Sequence, residues 1–338
     1  MTKGARAADK QIGQILLPPN SDRSAAPPPA GSREVRLGGE TMGTVWTLAA
    51  FVPSSITDAV VRAALEKIFA NIIAGLSQWE AGSAISRFNC APAGSWQHIN
   101  RDFARVLDCA LNIARASGGA FDPTIGKASE LWGFGTAHAP LRRPDDRQAA
   151  TTRNYSWRDV QTQEFCSRLL QPGGMALDFS GIAKGHAVDA GIEALNRLGI
   201  GSALLEIGGE LRGCGLRADM MPWWVDLETP PESICPATRV GLANWSVATS
   251  GSYVRRVQAG TESWSHTLAA DSGLPVDNEV LSVTVFHTGC MQADALATAV
   301  LALGETEGLA FADRYGIPAR TVTRIRVGES AAWKQWSK

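Results

Sequence analysis

Asp178-Phe179-Ser180-Gly181-Ile182-Ala183-Lys184-Gly185-His186-Ala187-Val188-Asp189 is the stretch on which the reading of this chain turns. It follows the apolar Met175-Ala176-Leu177, which reads as the end of a strand, and it turns on Gly181. Ala187, Val188, Ile192, Leu195 and Leu198 then recur at three- and four-residue spacing, the mark of an amphipathic helix, and Gly199 stops it. A strand ending in a carboxylate, glycines at 181 and 185 and a helix N-terminus beside Lys184 would direct backbone N–H groups, a positive dipole end and a fixed cation at one small volume. That is a place to hold a phosphate. The same letters also suit an ordinary strand-to-helix connection with a surface lysine.

Upstream, Val35–Leu37 and Val45–Phe51 read as two short strands separated by Gly38-Gly39-Glu40-Thr41-Met42-Gly43. Thr57 caps a helix whose stripe is Val61, Leu65, Ile68, Phe69, Ile72, Ile73 and Leu76. From Ser77 to Asn89 the period breaks around Trp79, a composition that suits a binding loop as well as a surface loop. Asn100 caps a second amphipathic helix through Phe103, Val106, Leu107, Ala110, Ile113 and Ala114, and Ser117-Gly118-Gly119 ends it. Asp122 precedes Pro123 and is presented at a rigid turn, either to cap that turn or to serve a site. Residues 137–152, rich in Pro, Arg, Asp and Ala, form a surface excursion.

Downstream, Ala203–Arg212 reads as a strand interrupted by Gly208-Gly209, a pair that allows close approach to the backbone. Val240–Ala248 and Leu281–His287 read as strands, with Thr249-Ser250-Gly251-Ser252 at a turn and Ser265-His266-Thr267-Leu268 between them. A helix runs from Ala293 to Gly304, with Asp294 and Thr298 on one face of its first turn. Those two side chains are either an N-cap with a back-bonded threonine or two oxygen ligands for a hard cation such as Mg²⁺.

Composition narrows the functions. At 338 residues, 45% hydrophobic and 19% charged, the chain is an ordinary globular sequence with enough length for a large core. A net charge of -1 supplies no basic footprint, so nucleic acid is not an expected partner. The six cysteines are scattered without a C-x-x-C pair and read as mostly free thiols. Gly213-Cys-Gly-Leu-Arg-Ala218 has the letters of a dinucleotide fingerprint, but Met220-Met-Pro222-Trp-Trp follows where a helix is required. No Walker-type phosphate loop and no G-x-S-x-G elbow occurs. Residues 1–32, with five prolines between Pro18 and Ser32, read as a flexible tether, and 33–338 as the folded domain. Nothing in the sequence has the length of a signal peptide's apolar core or of a membrane span. The chain as written reads as cytoplasmic, or periplasmic if an export signal lies upstream of Met1.

Taken together and in order, Glu40-Thr-Met-Gly-Thr44, Ser83-Ala-Ile-Ser-Arg-Phe-Asn89, Gly119-Ala-Phe-Asp-Pro-Thr124 with Trp132-Gly-Phe-Gly135, Asp178 to Asp189 with Ile207-Gly-Gly-Glu210, Ala248-Thr-Ser-Gly251, Ser265-His266 and Ala293-Asp-Ala-Leu-Ala-Thr298 resemble the FAD:protein FMN transferases, the ApbE-like flavin transferases. The resemblance spans about Arg33 to Ile317. It implies an α+β fold: one ApbE-like, T-fold-like domain of mixed sheets packed with helices behind a disordered tether. It implies FAD as substrate and Mg²⁺ as cofactor, with FMN transferred to a threonine or serine hydroxyl of a target flavoprotein and AMP released. Met42, Trp79, Ala120, Phe121, Asp122, Asp178, Lys184 and Leu268 fall at FAD-contacting positions. Gly181, through its carbonyl, Asp294 and Thr298 fall at the metal position, and His266 is the candidate for proton transfer or substrate positioning, with an expected inflection near ~6.5 if it handles a proton. Ala269-Ala270 stand where the family usually has Asp-Pro. That departure keeps two alternatives open: FAD binding without transfer, and Mg²⁺-dependent FAD hydrolysis to FMN and AMP.

Overall fold

The structure is a computed structural model that describes residues 13–19, 25–136, 139–164, 167–231, 233–253 and 255–337. Parts of the expected tether (1–12 and 20–24), residues 137–138 of the surface excursion and Cys166 lie outside the described residues. In chain order the strands are β1 (Gln14–Leu16), β2 (Arg33–Thr41), β3 (Thr44–Val52), β4 (Ser95–His98), β5 (Thr162–Gln163), β6 (Arg168–Gln171), β7 (Ser202–Ile207), β8 (Glu210–Cys214), β9 (Trp223–Asp226), β10 (Thr238–Leu242), β11 (Trp245–Gly251), β12 (Arg256–Ala259), β13 (Glu262–Ser265), β14 (Ser282–His287), β15 (Ala319–Val322) and β16 (Val327–Glu329). The helices are α1 (Asp58–Leu76), α2 (Ala84–Asn89), α3 (Arg101–Ala116), α4 (Gly126–Leu131), α5 (Asp146–Ala150), α6 (Ala183–Arg197), α7 (Cys290–Tyr315) and α8 (Ala331–Lys334).

An eight-stranded sheet in the order β16-β15-β14-β11-β8-β7-β3-β2 is the frame, with every neighbour antiparallel. Strand alternation covers both of its faces. Trp46, Leu48 and Ala50 of β3 join Ala203, Leu205 and Ile207 of β7 in the main core, where α1, α3, α6 and α7 bury Val61, Leu65, Phe103, Ile192 and Val300. Phe51, Leu211, Val247 and Phe286 point the other way, into an aromatic cluster with Trp223, Trp333 and Trp336. A small sheet, β1-β10-β9, closes that second face, and its β1–β10 pairing is the one parallel pairing among the described strands.

The expected helix starts are borne out by their caps: Thr57 accepts from the Val60 N–H, and Asn100 from the Phe103 N–H at 2.8 Å. Gly199 ends α6 in a left-handed conformation, φ +77°. Several boundaries differ from expectation. The 77–89 stretch contains α2, capped by Ser83 and too short to show a period, with Ile85 and Phe88 fully buried. Gly38-Gly39 continue β2, paired with Thr47 and Trp46 of β3, and glycine serves at 39 because a Cβ there would stand 2.9 Å from the Trp46 indole; the turn is Met42-Gly43 alone. Gly208-Gly209, both at positive φ, make the hairpin turn between β7 and β8. The expected strand Val240–Ala248 breaks at Asn244, φ +59°, into β10 and β11 of different sheets, and the expected turn at 249–252 is largely the end of β11.

The helix expected at Ala293 starts at Cys290 and runs to Tyr315, interrupted at Gly304 by a non-helical φ of 77°. Asp294 is therefore one turn inside α7 and is not its N-cap. By length and apolarity α7 could cross a membrane; here its Ala293, Ala297, Val300 and Leu301 belong to the main core. Part of the tether is also bound: Gln14–Leu16 pairs with Thr238–Val240 and Leu16 is fully buried. The five described cysteines are free thiols.

Candidate active site

The 178–189 stretch is positioned by side chains rather than by a strand ladder. Met175 to Leu177 lies in no strand. Asn89, at the end of α2, accepts from the Leu177 N–H at 2.8 Å and donates to the Leu177 carbonyl at 3.0 Å. The Asp178 N–H donates to the Pro123 carbonyl at 2.8 Å, tying the stretch to the Asp122 turn. Asp178 then accepts from the Ser180 N–H at 2.7 Å, which shapes the turn into α6, and Gln78 donates to it at 3.5 Å.

Helices α6 and α7 cross at Gly185, where a Cβ would stand 2.3 Å from the Cys290 carbonyl oxygen. At this crossing each helix caps the other. Asp294 of α7 accepts from the Gly185 N–H through Oδ2 at 3.0 Å, and Asp189 of α6 accepts from the Cys290 and Met291 N–H groups at 3.0 and 2.9 Å. The orphan donors at both helix starts are met by buried carboxylates one or two turns into the partner helix. Arg212 of β8 neutralises Asp189 at 2.5 Å.

Lys184 turns from this N-terminus to Glu210, the first residue of β8, with Nζ 2.5 Å from Oε2. The Glu210 side chain is 2% exposed and that of Lys184 30%. Burial works against the Lys184 cation, but the charges of Glu210 and Asp294 outweigh it and hold its pKa above the ordinary lysine value. Burial likewise raises Glu210 and Asp294, each against the pull of Lys184, whose charge and hydrogen bond favour the ionised Glu210. One turn beyond Asp294, Thr298 Oγ1 lies 3.2 Å from Ser250 Oγ, and a Cβ on Gly181 would stand 3.0 Å from the same hydroxyl and 3.4 Å from the Phe121 ring. The structure thus brings Gly181, Asp294, Thr298, Phe121 and Lys184 together.

His266, directly after β13, lies near enough to feel the charges of Lys184 and Asp178. Its Nδ1 lies 3.2 Å from the Arg255 carbonyl, to which a protonated Nδ1 donates, leaving Nε2 as the free acceptor. Burial, with the Arg255 cation beside it and Lys184 further off, lowers the pKa to about 4, well below the expected ~6.5. Arg255 also reaches over the half-exposed Trp79 ring at 5.9 Å. Met42, at φ +51°, sits in the β2–β3 turn beside the Gly208 turn that leads to Glu210. Leu268 is 4% exposed and packs with Trp132 and Trp264 in a satellite core.

Asp122 does cap its turn. Oδ1 accepts from the Thr124 N–H and hydroxyl at 2.8 and 2.7 Å, and Oδ2 from the Trp157 N–H and Arg153 Nη2 at 3.1 and 3.2 Å. A cleft of about 540 Å³ opens beside it, lined by Ala120, Arg153, Trp157, Ala269, Ala270 and Leu303 among others. Arg153 Nε and Nη1 and Trp157 Nε1 are buried there without protein partners. Sequence reasoning assigned no role to Glu210, Arg153, Arg255 or Ser250. Glu210 and Ser250 did carry a signal, since both lie in stretches that make the resemblance, Glu210 as an acid directly after a glycine pair.

Three comparisons bear on the chain as a whole. The ApbE family profile matches residues 42–321. The FAD:protein FMN transferase of Vibrio cholerae serotype O1 is 30% identical over 301 residues, covering 88% of this chain and 90% of that protein. The one from Escherichia coli K12 is 28% identical, covering 93% and 90%. Among solved structures, the flavin transferase ApbE from Vibrio cholerae superposes with a TM-score of 0.82 at 28% identity over 90% of this chain and 99% of that one. The apo flavinyl transferase ApbE of Pseudomonas stutzeri gives 0.82 at 30% identity, over 90% and 97%. The chain belongs to the ApbE family, the flavin transferases that these relatives represent.

Proposed function

We propose that this chain is a Mg²⁺-dependent FAD:protein FMN transferase, attaching FMN from FAD to a threonine or serine hydroxyl of a target flavoprotein and releasing AMP. The observation that carries the reading is the convergence of Asp294, Thr298, Gly181 and Lys184 at the N-terminus of α6. Among the described residues no group of three or more His, Cys, Asp and Glu side chains is arranged for a metal. One carboxylate, one hydroxyl and one backbone carbonyl suit a hard cation that takes its other ligands from water and phosphate. The residues fit such an ion: Asp294 is buried, its Oδ2 is engaged by the Gly185 N–H, and the nearby Lys184 ammonium is paired with Glu210 instead. When bound, Mg²⁺ supplies Lewis-acid stabilisation of diphosphate charge.

The protein's own groups do the rest. The α6 N-terminus and Lys184 present positive potential to the diphosphate, where charge builds on non-bridging oxygens as the acceptor oxygen attacks the FMN-side phosphorus. The new P–O bond forms to the acceptor, the bond to the AMP phosphate breaks, and His266 Nε2 takes the hydroxyl proton. A depressed pKa keeps that nitrogen unprotonated at neutral pH. The cleft beside Asp122 has room and unpaired donors for one arm of FAD, and the half-exposed Trp79 offers a ring face to another. The test is to incubate the protein with FAD, Mg²⁺ and a candidate target flavoprotein. Covalent flavin on the target with matching AMP supports transfer; AMP with no target modified indicates hydrolysis, and neither product leaves FAD binding alone.

A further inference from the structure

We propose that Glu210 is a positioning residue that holds the Lys184 ammonium away from Asp294, so that Asp294 is free to take a divalent cation. The inference rests on the metal reading above and goes beyond it. Lys184 and Asp294 are close neighbours: the Gly185 N–H, one residue along from Lys184, donates to Asp294 Oδ2 at 3.0 Å, and the charge of each is felt by the other. A buried ammonium and a buried carboxylate within reach pair with each other unless a better partner competes. An ammonium seated on Asp294 excludes a metal ion by occupying its oxygen and by repulsion.

Glu210 is that competing partner. Its carboxylate, 2% exposed, lies 2.5 Å from Lys184 Nζ. The hairpin that carries it is built for the position: Gly208 and Gly209 take φ of +62° and +105°, the Gly208 N–H donates to the Val45 carbonyl at 3.1 Å, and Glu210 pairs with Ile207 at the first rung of the β7–β8 ladder. The Lys184 ammonium is thus anchored on the sheet, while Asp294 is left on the helix with, among the described residues, only the Gly185 N–H as a hydrogen-bond partner. A carboxylate that merely stabilised the fold would have no bearing on metal affinity.

The experiment is a Mn²⁺ titration of the full chain followed by electron paramagnetic resonance, on wild type, Glu210→Gln, Lys184→Met, Lys184→Met/Glu210→Gln and Asp294→Asn. Glu210→Gln is expected to weaken Mn²⁺ binding by at least about tenfold, since the freed ammonium gains a charged hydrogen bond to Asp294. Removing Lys184 as well restores affinity, and Lys184→Met and the double variant agree to within about twofold. Unchanged affinity in Glu210→Gln, or a double variant as weak as that single, overturns the proposal. If Glu210→Gln does not fold, a difference between Lys184→Met and the double variant overturns it and agreement supports it. The metal reading fails separately, if wild type takes up no Mn²⁺ or if Asp294→Asn binds it as wild type does.

Discussion

At the scale of single residues, His266 shows how burial changes chemistry. Replacing it with Asn is expected to lower the transfer rate by about 10²–10⁴-fold while FAD still binds, the range for losing one acid–base group. The wild-type rate should show its histidine inflection near pH 4, because burial and the Arg255 cation hold the imidazole neutral. Arg255→Met, which removes that cation, should move the inflection upward; an inflection near ~6.5 in wild type would contradict the placement of His266. The sign carries over to stability. A folded value below the unfolded one means that stability is present above ~6.5 and is lost as pH falls toward about 4. Asp294→Asn is the cleaner test of the metal position than Asp294→Ala. The amide oxygen can still accept from the Gly185 N–H, so transfer should vanish while thermal stability changes little. Turnover equal to wild type in that variant would remove Asp294 from the site.

At the scale of elements, the reciprocal caps tie α6 to α7 beneath the candidate site. Asp189 serves two N–H groups of α7 and pairs with Arg212, so Asp189→Ala should cost about 3 kcal/mol or more, by denaturant unfolding, as expected for one partner of a buried ion pair. A loss below ~1 kcal/mol would mean that water replaces it readily. Gly185→Ala should destabilise by about 1–3 kcal/mol through overpacking against the Cys290 carbonyl. Much at this scale was legible in the sequence: Thr57, Asn100 and Gly199 mark helix ends because caps are local chemistry. Other features were not. Ser83 caps a helix of six residues, shorter than two turns, so no period existed to read. Asn244 splits β10 from β11 by taking φ +59°, a conformation that its side chain tolerates but does not announce. Among the candidate site residues, Asp178, Lys184, Asp294 and Thr298 stood out through motif order, whereas Arg153 and Arg255 depend on partners far away in sequence, Asp122 and Trp79.

At the scale of the whole molecule, the sheet separates two tasks. Its helix-covered face carries the candidate site, and its other face is closed by an aromatic clasp that joins the two ends of the described chain. Trp336 stacks on Phe286 at 4.2 Å and meets Trp245 edge-on at 4.9 Å, while its carbonyl accepts from the Leu17 N–H at 3.2 Å. Trp333 covers the same Phe286 ring at 4.5 Å. Because Phe286 and Val247 point away from the helices, and Val285 and Ala248 point toward them, a loss on the clasp side reaches the site only through the stability of the sheet itself. Trp336→Ala should therefore cost about 3–5 kcal/mol of unfolding free energy, the usual range for a buried tryptophan truncated to alanine. Below its lowered melting temperature, FAD affinity and transfer per folded molecule should match wild type. A variant with normal stability would show that the clasp is loosely packed in solution. One with normal stability and weakened FAD binding would show that the two faces are coupled, and that the sheet transmits strain between them.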